Sequence, residues 1–282
     1  MHAPRSSDVI EPEMLMLAYR SGIFPMADNR EDPEIFWVEP RLRAILPLDG
    51  FRLSRSLART LRRGRFTVTC DAAFSRVMDE CAAPRRGVEA EEEGDDNGRS
   101  WISHRIQASY ENLHRLRRAH SLECWQEGSD GRRRLVGGLY GVGFDRVFCG
   151  ESMFSRVPDA SKVALAWLVA ALRRGGGVLL DCQFITPHLM SLGAVEIAQK
   201  RYLALLRAAR SGEAQSLPFA ASAGGVSTGE AAALGEGSGD GAGDGGVLAL
   251  PDAFAALLGD AASAGLASSP GKFIAHALTQ TS

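Results

Sequence analysis

Several signatures that would assign a chemistry at sight are missing from this chain of 282 residues. Its five cysteines (Cys70, Cys81, Cys124, Cys149 and Cys182) are odd in number and scattered. They make no Cys-x-x-Cys pair and no His-x-x-x-His spacing accompanies them, so neither a disulfide framework nor a metal site is indicated. No run approaches the roughly 18 uninterrupted apolar residues of a membrane span. The opening MHAPRSSDVIEPEM lacks the apolar stretch and cleavage site of a secretory signal, which together with unpaired thiols points to a cytoplasmic protein. No Gly-x-x-x-x-Gly-Lys-Ser/Thr loop is present. GAGDGG at 241–246 matches Gly-x-Gly-x-x-Gly only formally, because it lies in low-complexity sequence with no strand before it. A chain without phosphate-cleaving machinery that nonetheless makes a bond needs a donor that arrives already activated. The net charge of −2 announces no nucleic-acid partner, so any such partner must be met by a local patch.

Hydrophobic residues make up 45% and charged residues 23%, enough for one sizeable core with a small accessory domain. Residues 1–45 read as that small N-terminal domain, rich in aromatics and proline: Tyr19, Phe24, Pro25, Phe36, Trp37 and Pro40. Over 46–210 helix and strand patterns alternate, which argues an α/β (α+β) domain, interrupted by an acidic loop at 87–100. From Ser211 through Gly271 there is no Lys or Arg; 211–247 reads as a Gly/Ala-rich linker and 248–282 as a flexible extension with a weak helix near 251–258. Within the domain, 134–154 predicts two strands joined by a turn at Gly143–Asp145. Asp159 or Ser161 offers an N-cap for a helix ending at Gly175–Gly177, and VLLDCQF (178–184) follows as a buried strand. Strand, helix and strand in succession predict a right-handed crossover between parallel strands, whose far ends face the usual ligand crevice.

Three features carry the chemistry. Asp181 and Gln183 are two apart in an otherwise apolar strand, so alternation sends both to one face and Leu180, Cys182 and Phe184 to the other. Glu151 interrupts another apolar stretch, FCGESMF. Such polar groups need partners or a purpose; spacing alone leaves an internal hydrogen-bond network and a reactive site equally open. Leu165, Leu168 and Leu172 fall at i, i+3 and i+7 of the helix and, with Leu139, Met153 and Leu180, are either ordinary core or the lining of an apolar pocket. Finally, FRLSRSLARTLRRGR predicts a helix with Arg55, Arg59, Arg62 and Arg63 on one face and no acidic residue interleaved, a pattern that is either a merely solvated face or one suited to phosphates.

These residues resemble the leucyl/phenylalanyl-tRNA–protein transferase family. The resemblance runs from about Glu11 to Arg207 and is carried by AYRSGIFPM (18–26), SWISHRIQASYENLHRLRRAHSLECW (100–125), GGLYGV (137–142), FCGESMFSR (148–156), ASKVAL (160–165), LDCQF (180–184) and SLGAVEI (191–197). It implies a core similar to the Gcn5-related acetyltransferases with a small N-terminal domain, and transfer of an amino acid from aminoacyl-tRNA to the α-amine of a protein beginning with Lys or Arg, marking it for degradation. It implies no cofactor and no metal. By the same resemblance Asp181 and Gln183 act in the reaction and Glu151 lies beside the aminoacyl group. Leu139, Met153, Leu165, Leu168, Leu172 and Leu180 line its side-chain pocket. Trp101 and Met26 sandwich the terminal adenine, and Arg55, Arg59, Arg62 and Arg63 form the tRNA surface. Leu168 and Leu172 stand where some members have phenylalanine, and Met26 where some have tryptophan.

An ester donor explains the missing nucleotide site. The expected mechanism has the Gln183 carbonyl orient the incoming amine while Asp181 polarises that amide and takes the proton. Glu151 is expected to hold the donor's own amine. A leucine-sized pocket separates similar apolar side chains by only about 1–3 kcal/mol, so methionine is expected as a weaker donor beside Leu and Phe. Two other readings are an acyl-CoA-dependent N-acetyltransferase and an RNA-binding adaptor. The first wants a glycine-rich pyrophosphate cradle that SRVPDASK (155–162) does not supply, and the second leaves the polar residues of the strand unexplained.

Overall fold

A computed structural model describes residues 9–84, 100–211 and 248–279. The acidic stretch, apart from Ser100, and the glycine-rich linker, apart from Ser211, lie outside the described residues. The chain opens with α1 (Pro12–Arg20) and a two-stranded hairpin of β1 (Phe24–Met26) and β2 (Phe36–Val38). Then come β3 (Leu42–Ile45), α2 (Arg55–Arg62), β4 (Thr67–Cys70), α3 (Phe74–Ala82) and α4 (His104–Arg115). The long strands β5 (Ala119–Glu127), β6 (Arg133–Phe144) and β7 (Val147–Ser155) lead into α5 (Ala160–Arg174), β8 (Leu179–Gln183), α6 (Pro187–Ser191), β9 (Val195–Ala198) and α7 (Gln199–Ser211). The last described stretch forms α8 (Leu250–Ser263) and α9 (Pro270–Ala277).

The main sheet has seven strands among the described residues, in the order β4-β5-β6-β7-β8-β3-β9. β6 and β7 form the expected hairpin, but β6 runs through Phe144, so the turn is Asp145–Arg146 with Asp145 at a φ of 50°. β7 and β8 are parallel, joined through α5 as the strand–helix–strand pattern predicts. Every other pairing in the sheet is antiparallel, giving a mixed α/β layer.

One core lies between the sheet and α5, with Leu122, Leu139, Phe148, Leu165, Leu168 and Leu180 buried in it. The second covers the opposite face, where α1, α3, α4 and α7 contribute Leu15, Val77, Tyr110 and Tyr202. The helix α5 is apolar all round and buried from Ala160 to Leu172 except at Lys162. A helix of that composition needs cover on both sides. The second cover is the C-terminal pair: Trp167 packs on Phe254 of α8 with ring centroids 5.2 Å apart, and Leu257, Ile274 and Leu278 join the same core. The expectation of a weak helix near 251–258 understates this stretch, which forms two helices seated on the sheet's own helices. Two glycines permit the close approaches. A Cβ on Gly137 would come within 2.5 Å of Ala160 at the start of α5, and one on Gly271 within 2.3 Å of the Leu61 carbonyl on α2.

The start of α5 departs from the simplest capping rule. Asp159 is at the N-cap but in a left-handed conformation, φ 71°, and its side chain caps nothing. It accepts instead from Thr60 Oγ1 at 3.0 Å, tying α2 to α5, while Ser155 Oγ accepts from the Ser161 amide at 3.3 Å.

Candidate active site

The parallel strands β7 and β8 are paired only where Val147–Cys149 face Leu179–Asp181. Past that point β7 continues to Ser155 against β6 alone, and Gln183 pairs with Ala44 of β3 on its other side. The sheet forks here, and a side-chain bond spans the fork: Gln183 Nε2 donates to Glu151 Oε1 at 2.8 Å. Glu151 stands in a β-bulge, since Gly141 faces Gly150 and Tyr140 already faces Ser152, leaving it without a partner across the ladder. Bulges re-aim a side chain in this way. Its other oxygen accepts from Tyr110 Oη at 3.2 Å, and Tyr110 in turn shares a short hydroxyl–hydroxyl bond with Tyr19. Burial, opposed by hydrogen bonds from Gln183 and Tyr19, pushes the Glu151 carboxyl up to about 7. It can therefore gain or lose a proton near neutrality.

Asp181 is fully buried and both its oxygens are occupied. Arg43 grips it with Nε to Oδ1 at 2.9 Å and Nη2 to Oδ2 at 2.6 Å, and Tyr202 Oη donates to Oδ2 at 3.0 Å. Burial works to lower the Arg43 pKa, but the adjacent carboxylate more than reverses this and holds the guanidinium charged. Burial first, and then the Asp181 charge, push the Cys149 thiol up, which keeps it inert. Asp181 Oδ1 also accepts the backbone N–H of Gln183 at 2.9 Å. The expected contact between Asp181 and the Gln183 side chain is therefore replaced by two others. Asp181 fixes the Gln183 backbone, and Glu151 holds the Gln183 amide.

The apolar candidates gather on one side of this fork. Leu139, Leu165, Leu168, Leu172 and Leu180 are buried in the core between sheet and α5, Met153 packs against them half-buried, and Leu139 faces Met153 across β6 and β7. Alternation puts Leu180 on this face, while Asp181 meets Arg43 and Tyr202 on the other. Met26 and Trp101 are both half-buried, and the Ala27 amide donates to the Trp101 carbonyl at 3.2 Å, so their segments are neighbours. On α2, Leu57, Ala58 and Leu61 face the core and Ser54 caps the amide of Leu57 at 3.2 Å. Arg55, Arg59, Arg62 and Arg63 are all exposed, without an acidic partner among the described residues.

Four site residues escaped the sequence reading: Arg43, Tyr202, Tyr110 and Tyr19. Arg43 did leave a signal, a charge inside the apolar run LRAIL of the same kind that drew notice to Glu151 and Asp181. A buried carboxylate calls for a buried cation, and Arg43 is the buried arginine of the strands among the described residues. The tyrosines left none, because a tyrosine on an apolar helix face reads as core.

A neutral amide held by a carboxylate of near-neutral pKa can accept from an amine through its carbonyl oxygen. Residues 45–207 match the family model described as leucyl/phenylalanyl-tRNA protein transferase, and residues 8–41 match the model of that transferase's N-terminal domain. The leucyl/phenylalanyl-tRNA–protein transferase of Novosphingobium aromaticivorans is 60% identical over 273 residues, 97% of each chain. Those of Rhizorhabdus wittichii and Zymomonas mobilis are 56% identical over 70% of this chain and 74% of theirs, and 53% identical over 72% and 70%. A solved structure of L-PGS from Bacillus licheniformis aligns over 64% of this chain and 55% of its own at 14% identity, with a TM-score of 0.31, too slight a likeness to argue from. The chain belongs to the leucyl/phenylalanyl-tRNA–protein transferase family.

Proposed function

We propose that this enzyme moves leucine or phenylalanine, and methionine less well, from aminoacyl-tRNA to the α-amine of proteins that begin with Lys or Arg, marking them for degradation. The observation that carries the reading is the Gln183–Glu151 bond across the sheet fork, with the leucine wall beside it. The family to which the chain belongs is named for leucyl and phenylalanyl transfer.

In the reaction the acceptor nitrogen attacks the ester carbonyl, the C–N bond forms, and the C–O bond to the terminal ribose breaks. The attacking α-amine has an ordinary pKa of about 7.7–8.0, so part of it is neutral at working pH and little base strength is required. The Gln183 carbonyl accepts from that amine and aims it. Glu151 draws on the Gln183 NH2 and holds the proton on its way from nitrogen to the departing ribose oxygen, the task earlier expected of Asp181. Holding amine and ester together supplies most of the acceleration, up to about 7–11 kcal/mol in favourable cases. Charged donor side chains are excluded because the leucine wall would bury them unpaired. Trp101 and Met26 take the terminal adenine, and the α2 arginines take tRNA phosphates. Charged tRNA and nascent proteins both fit a cytoplasmic enzyme; among the described residues no helix is long and apolar enough to cross a membrane.

The test is transfer of labelled leucine from charged tRNA to a peptide with N-terminal Arg, with and without acetyl-CoA. The proposal expects transfer that ignores acetyl-CoA, with Arg-tRNA inactive as donor. Acetylation of the peptide, or binding of tRNA without transfer, would replace it.

A further inference from the structure

The Gln183 side chain reaches Glu151 from a backbone at φ 61°, a left-handed conformation that a residue with a Cβ adopts only when its surroundings impose it. The imposing contact is the Gln183 N–H bonded to Asp181 Oδ1 at 2.9 Å. That bond needs Oδ1 turned toward the Gln183 amide, and the two parallel bonds from Arg43 hold the carboxylate in that orientation. Arg43 is 1% exposed and is itself held from several sides. Its Nη1 donates to the Gly22 carbonyl at 2.9 Å, and its guanidinium lies between the Phe24 ring, 4.8 Å away, and the Tyr202 ring, 4.5 Å away.

We propose that Arg43 is a positioning residue for transfer, acting on Gln183 through Asp181 and braced by Tyr202. The guanidinium touches no reacting atom. It sets the carboxylate, the carboxylate sets the Gln183 backbone, and the backbone aims the amide that receives the acceptor amine. Through Gly22 and Phe24 the same side chain ties the opening segment to the fork, so the α1–β1 turn contributes to the site without facing it.

The inference rests on the transferase reading, so wild-type transfer is measured first; no transfer there counts against that reading and not against Arg43. Given transfer, Arg43→Lys keeps the charge but loses the two-pronged grip. Its kcat falls roughly 10- to 100-fold, the loss a misplacement of about an ångström brings, while KM for charged tRNA stays near the wild-type value because the tRNA contacts are elsewhere. Tyr202→Phe removes one bond to Asp181 and keeps the ring, and shows a smaller loss of the same kind. Phe254→Ala, remote from the fork, serves as a destabilised control that keeps kcat. If Arg43→Lys does not fold, Tyr202→Phe alone decides. Unchanged kcat in the folded variants, a rise in KM alone, or an equal kcat loss in Phe254→Ala overturns the proposal.

Discussion

Replacing Glu151 by Gln removes one buried charge and almost nothing of the shape. The new amide oxygen can accept from Gln183 as before, and its NH2 can donate to Tyr110, whose hydroxyl then donates to Tyr19. The wild-type carboxyl is 7% exposed, and burial pushes it up to about 7 from 4.5. Because the folded state binds this proton more tightly than the unfolded chain, its contribution to stability is full below about pH 4.5 and is lost as pH rises through about 7. Converted at 1.36 kcal/mol per pH unit, the gap is worth about 3 kcal/mol. Glutamine has no proton to lose and should show no such decline. Urea unfolding of both proteins from pH 5 to 8.5 should therefore show Glu151→Gln gaining on wild type by about 1.4 kcal/mol per pH unit up to about 7, then levelling. A difference that stays constant with pH, or a variant that weakens relative to wild type as pH rises, would refute the argument from burial.

The same variant should lose activity by roughly 10²–10⁴-fold, the usual worth of a positioned proton carrier. Its pH–rate curve should also lose the rise near 7 and keep only the rise of the acceptor amine. Changing Arg59, Arg62 and Arg63 to Ala together should flatten the plot of log affinity for tRNA against log salt by about 0.7–0.9 per phosphate contact removed, as read by filter binding across salt concentrations. On the far side of α5, Phe254→Ala should cost about 3–5 kcal/mol in urea unfolding, because the C-terminal helices are part of the core and not an appendage.

How far the sequence could be read depended on how local each signal was. The crossover of β7, α5 and β8 was legible because GESMF, the apolar helix and VLLDCQF are punctuated by Asp159 and Gly175–Gly177. Asp181, Gln183 and Glu151 stood out as polar residues in apolar strands. Their wiring was not legible. Strand alternation assumes extended backbone, and the left-handed turn at Gln183 together with the bulge at Glu151 breaks that assumption at the two residues that matter. The Arg43–Asp181 pair joins residues 138 positions apart, a separation no local pattern spans. The C-terminal helices were underestimated because their Ala- and Gly-rich sequence resembles the preceding linker. The telling signal lay elsewhere, in an α5 apolar on every side and so in need of a second cover.

Transfer through this fork depends on where the donor side chain sits relative to Gln183. The most direct measurement is a crystal structure with an amide-linked analogue of 3′-phenylalanyl-adenosine. The aromatic ring is expected against Leu139, Leu165 and Leu168, with the analogue's carbonyl carbon facing the Gln183 amide oxygen. A ring lodged instead among Tyr19, Tyr110 and Tyr140 on the opposite face of the sheet, or bound away from the β7–β8 fork, would contradict it.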